Sequence, residues 1–234
     1  LSRPAERSAT APVNKVEVGD ITPRFETRTL ANGMKVMVVT NREVPYASVQ
    51  LGIKNGAWTE KNRGAASMAM AMLTKGTASR SEAQMAHDLE FAAINLNGYA
   101  DMDSASISMG CVTDQLDRAF DLIGDAVCNP AFDANEFGKL RKQMRAGMVI
   151  SQASPEYLAE REMRTRLYGA HPYARDASGE IADVDALTVD DCKAWWSEFA
   201  HPETAVLVCS GDIDADRAVK LAETAFKDWK AGKG

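Results

Sequence analysis

"GAASMAMAMLTKGT", residues 64–77, decides how this chain is read. Ala, Met and Leu are strong helix formers. Lys75-Gly76 is a typical stop, because glycine accepts the left-handed conformation just past a helix end. Between Ala65 and Leu73 the only polar side chain is Ser67. A helix that is apolar all round is buried on all sides. The stretch therefore predicts a short central helix with the fold built around it.

Upstream, "FETRTL-ANG-MKVMVV" places two β-type runs on either side of Asn32-Gly33, the pair favoured where a hairpin turn needs positive φ. "YASVQLGIKNG" reads as a third strand, entered after Pro45. Downstream, "SRSEAQMAHDLEFAA" predicts a second helix capped by Ser79 or Ser81, with Met85, Ala86, Leu89 and Ala93 on one face. "INLNGYADMDSASISMGCV" predicts two strands around a polar turn at Asp101–Ser104. Within the first of them, Asn97-Gly98 predicts a kink or bulge.

Leu116, Phe120, Ile123 and Val127 repeat at helical spacing, and Asn129-Pro130 ends that helix. A long fourth helix carries Phe137, Leu140, Met144 and Met148. A fifth starts at Ser154-Pro155 and runs to about Tyr168. "HPYARDASGE" reads as a loop. The sixth helix opens on a Thr188/Asp191 capping box. "TAVLVCSGD" is a buried strand, and a seventh helix closes the chain. The order predicts an α+β fold: a largely antiparallel sheet with helices packed on one face.

With 234 residues, 45 % of them apolar, the chain can bury a sizeable core. Its net charge is −6 and its Lys and Arg are dispersed, which argues against a nucleic-acid surface. The longest apolar stretch is far too short to span a bilayer. Residues 1–24 have linker composition, as do residues 231–234, so residues 25–230 are expected to form one domain. Both ends look like cuts between modules of a longer polypeptide.

Taken in order, several of these phrases resemble one domain of the pitrilysin/insulinase family of zinc peptidases, which includes the mitochondrial processing peptidases. The likeness runs from about Phe25 to Trp229. It is carried by "TRTLANGMKVMVV", "VQLGIKNGAWTE", "RGAASMAMAMLTKGT", "NPAFDANEFGKLRKQ", "LYGAHPYARDASG" and "AVLVCSGDID". Active members carry His-x-x-Glu-His on the first helix. Residues i and i+4 share a helix face, so two imidazoles can hold one zinc while the Glu activates water. A Glu on the long helix supplies the third protein ligand.

Alignment on "MLTKGT" puts the first His position at Ser67, the general-base position at Met70 and the second His position at Ala71. The third ligand falls near Gly147. None of the four carries ligand or base chemistry, so the resemblance implies a degenerate domain without catalytic residues or zinc. The methionines are expected to fill the volume of the missing site. No replacement is evident. His87, His171 and His201 are not paired at ligand spacing and read as structural or solvent-facing. Cys111, Cys128, Cys192 and Cys209 form no C-x-x-C pair and read as buried thiols. Of Trp195 and Trp196, one is expected to pack inward and the other to cover a neighbouring surface.

In this family, paired halves enclose a chamber, and one half holds the zinc. The resemblance implies that this chain supplies chamber wall and substrate contacts against a zinc-bearing homologous domain, in a parent that cleaves peptides. The parent is expected to be bacterial, and periplasmic or membrane-associated. The matching substrate-edge strand would be Asn95, Leu96, Asn97, Gly98, Tyr99 and Ala100. The alternative is a scaffold subunit resembling the core proteins of cytochrome reductase, with no peptidase role.

Overall fold

The structure is a computed structural model that describes residues 24–232. The N-terminal linker expected at residues 1–24 and the last two residues of the chain thus lie almost wholly outside the described residues. The hairpin around Gly33 is formed by β1 (Glu26–Thr29) and β2 (Lys35–Thr40), with Gly33 at φ 89°. Then come β3 (Tyr46–Ile53), α1 (Ala65–Met72) and α2 (Glu82–Phe91). β4 (Asn95–Ala100) and β5 (Ala105–Val112) form the second hairpin. Its turn is fixed by the Asp101 carboxylate, which accepts from the backbone N–H groups of Asp103 and Ser104.

Four helices follow: α3 (Leu116–Cys128), α4 (Ala134–Ser151), α5 (Pro155–Tyr168) and α6 (Ile181–Ala186). The chain closes with α7 (Val189–Phe199), β6 (Ala205–Gly211) and α8 (Ala215–Ala225). Local chemistry places the helix starts. Ser81 and Gln84 form a capping box, as do Thr188 and Asp191, and Asp133, Ser154 and Asp214 cap α4, α5 and α8.

The six strands form one sheet in the order β1-β2-β6-β3-β5-β4. Every neighbouring pair is antiparallel except β2–β6. Burial alternates along the strands. Val49, Leu51, Ile53, Ile107, Leu207 and Cys209 are buried under the helices, while Tyr46, Ser48 and Gln50 are exposed on the other face. α1, α3 and α8 pack on the sheet, and α4 and α7 pack on α1. The expected α+β architecture is the one observed.

The fold corrects four local expectations. A further short helix, α6, precedes α7. Its six residues are too few for a periodic signal, and Glu180 N–H donating to the Asp183 carboxylate starts it. Ala93 lies past the end of α2, at φ 50°. Trp195 and Trp196 are both buried, at 3 % and 7 % exposure, and the Trp195 indole donates to Thr59 Oγ1. β4 keeps continuous register through Asn97↔Ser108 and Gly98↔Ile107, with no bulge. The reason for Gly98 is packing: an added Cβ would lie 2.1 Å from the Met70 carbonyl oxygen of α1.

Candidate functional site: the vacated helix and its sheet edge

α1 crosses the sheet beside its outermost strand. Met68, Met70 and Met72 are fully buried, and the Met70 backbone rests on Gly98 of β4. The helix begins at Gly64, whose φ of 86° and contact with Ser178 O leave no room for a Cβ. Gly64 offers no side-chain cap, so the cap comes from Glu60. Its carboxylate accepts from Gly64 N–H at 2.9 Å and Ala66 N–H at 3.1 Å.

The Glu60 side chain is fully buried and pairs with Arg175 at 2.9 Å. Arg175 also donates to Ala57 O at 2.9 Å. Burial pushes the Glu60 carboxyl above its ordinary value, against the lowering pull of the two amides and Arg175. Residues 175–178 therefore clasp the N-terminal half of α1, and Ser67 Oγ donates to Ala177 O at 3.2 Å within that clasp. The sequence reading missed the Glu60–Arg175 pair. The available signal was an acidic residue just ahead of a helix whose N-cap is glycine.

Ser67 and Ala71 form the half-buried face of α1, and Thr74, just past the helix end, donates from Oγ1 to Ala71 O. Of the positions that the resemblance assigns to the motif, only Met70 is buried in the core, and Ser67 and Ala71 carry small side chains on the less buried face. Gly147 sits on an exposed part of α4, and an added Cβ there would touch nothing. A neutral hydroxyl, a buried thioether and two residues without donors do not make the three-ligand set that catalytic zinc needs. The residues present do not fit the metal.

The remaining candidates take structural places. His87 is exposed on α2, 3.6 Å from Asp88. His171 Nδ1 accepts from Tyr173 N–H, and His201 Nε2 lies 3.1 Å from Glu198 O. Among the described residues no group of three or more His, Cys, Asp or Glu side chains is placed to hold a metal. The four cysteines are free. Burial pushes the Cys111 thiol up to about 11, and Cys128, Cys192 and Cys209 to about 12. No helix among the described residues is long and apolar enough to cross a membrane.

Among the described residues β4 is an edge strand, paired on one side with β5 and with no strand on the other. Asn95, Asn97 and Tyr99 are exposed, while Leu96 and Ala100 are buried, with Gly98 between them under α1. At its far end, Tyr173 donates from its hydroxyl to Asp103 at 2.5 Å, which ties the loop after α5 to the β4–β5 turn.

Comparison with known proteins agrees with this geometry. The family model described as "Insulinase (Peptidase family M16)" matches residues 35–179, and "Peptidase M16 inactive domain" matches residues 186–234. A protein of Helicobacter pylori named "Non-peptidase homolog YmxG" is 25 % identical over 206 residues, covering 86 % of this chain and 48 % of that protein. The probable mitochondrial-processing peptidase subunit beta of Schizosaccharomyces pombe is 25 % identical over 207 residues, covering 87 % and 45 %. The crystal structure of a peptidase M16 inactive domain from Pseudomonas fluorescens superposes with a TM-score of 0.83 at 27 % identity, covering 89 % of this chain and 52 % of that one. The chain spans about half the length of these relatives. With the insulinase and inactive-domain models together matching most of the chain, it belongs to the insulinase family, peptidase family M16, as a non-catalytic domain of it.

Proposed function

We propose that this domain is the inert wall of a peptidase chamber, packed against a homologous domain that holds the zinc. The observation that carries this reading is the state of α1. The helix keeps its place in the core, its buried Glu60 cap and its contact with β4, while Ser67, Met70, Ala71 and Gly147 offer no metal or base chemistry. A site lost from a free-standing enzyme leaves no reason to keep its frame. A site lost from one of two halves leaves the frame needed for docking and for substrate contact.

In this reading an extended peptide of the parent's substrate adds as a further strand to the edge formed by Asn95–Ala100. Main-chain hydrogen bonds hold it without regard to sequence, and the zinc of the other domain does the hydrolysis.

Two measurements test the reading. Elemental analysis of the isolated chain after dialysis should find no stoichiometric zinc, and the chain should cleave no peptide. One tightly held zinc would end the proposal. In the assembled parent, a substrate peptide N-methylated at alternate residues should lose affinity, because it cannot complete the β4 ladder. A parent or partner with no intact His-x-x-Glu-His anywhere would move the function to scaffolding.

A further inference from the structure

We propose that α5 and the loop Gly169–Ser178 form a lid that opens away from α1 while the rest of the domain stays folded. The inference holds with or without the peptidase reading. It starts from where the core stops. Leu140, Met144 and Met148 of α4 pack on the core, and after Met148 the next apolar side chain to do so is Ala177. Between Phe137 and Gly179 no residue is fully buried. A stretch with few buried apolar contacts opens at a free energy well below that of global unfolding.

What closes the lid is polar. The Tyr173 hydroxyl donates to Asp103 at 2.5 Å, and Arg175 donates to Glu60 and to Ala57 O at 2.9 Å each. Ser67 Oγ donates to Ala177 O at 3.2 Å. The backbone N–H groups of Gly169, His171, Ala174 and Arg175 all bond three or four residues back, so none of them ties the loop to the body. The closed fit is also incomplete. Arg164 reaches Asp176 only at 3.5 Å and Glu160 at 3.9 Å, and its Nε–H is buried with no acceptor among the described residues. A buried donor left unpaired costs free energy that exposure to water recovers.

The ends of the loop permit the movement. Gly169 holds φ 57° and ψ −116°, and Gly179 holds φ 76°, conformations that side chains rarely allow. At Gly169 an added Cβ would meet nothing within 4 Å, so the backbone and not the packing calls for glycine there. A helix of 14 residues is marginal in water by itself, so α5 loses its order once the loop lets go. Opening bares Ser67 and the N-terminal half of α1 and frees the β4–β5 turn. Access to that end of β4 is then set by the lid.

Native-state hydrogen exchange of the 234-residue chain, read by mass spectrometry at rising urea below the unfolding transition, tests the proposal. Amides of α5 and the loop should exchange at least about tenfold faster than those of β3, β5 and α3. Their urea dependence should be shallow, because the slope follows the surface exposed on opening. Tyr173→Phe removes one hydroxyl and should speed exchange of the segment about tenfold, and Arg175→Met removes two bonds and should speed it on the order of a hundredfold. Circular dichroism checks folding; if Arg175→Met does not fold, Tyr173→Phe decides. A segment that shares the exchange rate and urea dependence of β5 overturns the proposal, since it then unfolds only with the core. So does segment exchange indifferent to Tyr173→Phe.

Discussion

Replacing Arg175 by methionine should destabilise the domain by about 3 kcal/mol at neutral pH, and by clearly less in acid. Methionine keeps the volume and the apolar stem of the side chain but removes its charge and its donors. Two interactions are lost: the 2.9 Å charged bond to Glu60 and the 2.9 Å bond to Ala57 O. A hydrogen bond between charged groups contributes about 1.5–3 kcal/mol and one to a carbonyl about 1 kcal/mol. Stripping one partner from a buried ion pair costs about 3–5 kcal/mol when the remaining charge has nothing else. Glu60 still has the Gly64 and Ala66 amides and the positive end of α1, so the lower part of that range applies.

The pH dependence has a fixed sign. Burial already raises the Glu60 carboxyl above its ordinary value, and loss of Arg175 raises it further. A group whose folded pKa lies above its unfolded one favours folding below the unfolded value, and that benefit is lost as pH rises through the folded value. The variant should therefore recover towards wild type as pH falls and Glu60 takes up a proton. Urea unfolding followed by circular dichroism at pH 7.5 and 5.0 measures both quantities. A loss below about 1 kcal/mol at pH 7.5 refutes the clasp, since an exposed ion pair contributes no more than that. A gap that fails to narrow at pH 5.0 refutes the role assigned to Glu60.

Three further outcomes are expected. Gly98→Ala should cost at least about 2 kcal/mol, because its Cβ would press on backbone of α1 rather than on a side chain that can turn away; an unchanged urea midpoint would contradict the packing role of Gly98. Asp125→Asn should cost about 2 kcal/mol, because this carboxylate accepts from Thr77, Ser79, Arg80 and Asn129. Burial opposes its ionisation, yet those bonds hold it below its ordinary value, so its stabilisation exists above the unfolded pKa and fades as pH falls; the Asn variant should approach wild type in acid. The thiols of Cys192 and Cys209 should resist a disulfide reagent at pH 8 in the folded chain and react on unfolding, since both are fully buried with pKa values pushed to about 12; fast reaction in native buffer would show that α7 and β6 open.

Much of the architecture was legible because local chemistry and hydrophobic period agreed. The Asn32-Gly33 hairpin, the Ser154-Pro155 start of α5 and the Thr188/Asp191 capping box each combine a turn or cap residue with an adjoining apolar pattern. The positions Ser67, Met70 and Ala71, which the resemblance assigns to the missing motif, could be named for another reason. A metal-binding motif is a local i, i+4 constellation, so its loss can be read in five consecutive residues. α6 was not legible, because six residues are shorter than two helical turns and carry no period.

The sequence by itself determined that α1 is a buried helix free of His, Cys, Asp and Glu, because residue type and helical spacing suffice for both statements. Only the tertiary structure decided why Gly98 interrupts an otherwise regular strand and which residue caps α1. Gly98 answers to a carbonyl on α1, 28 positions upstream, and the cap is completed by Arg175, 115 positions beyond Glu60. Steric exclusion and burial of charge act through space. A chain read residue by residue shows the glycine and the glutamate, but the atoms that require them arrive only when the sheet edge, the helix and the loop after α5 are brought together.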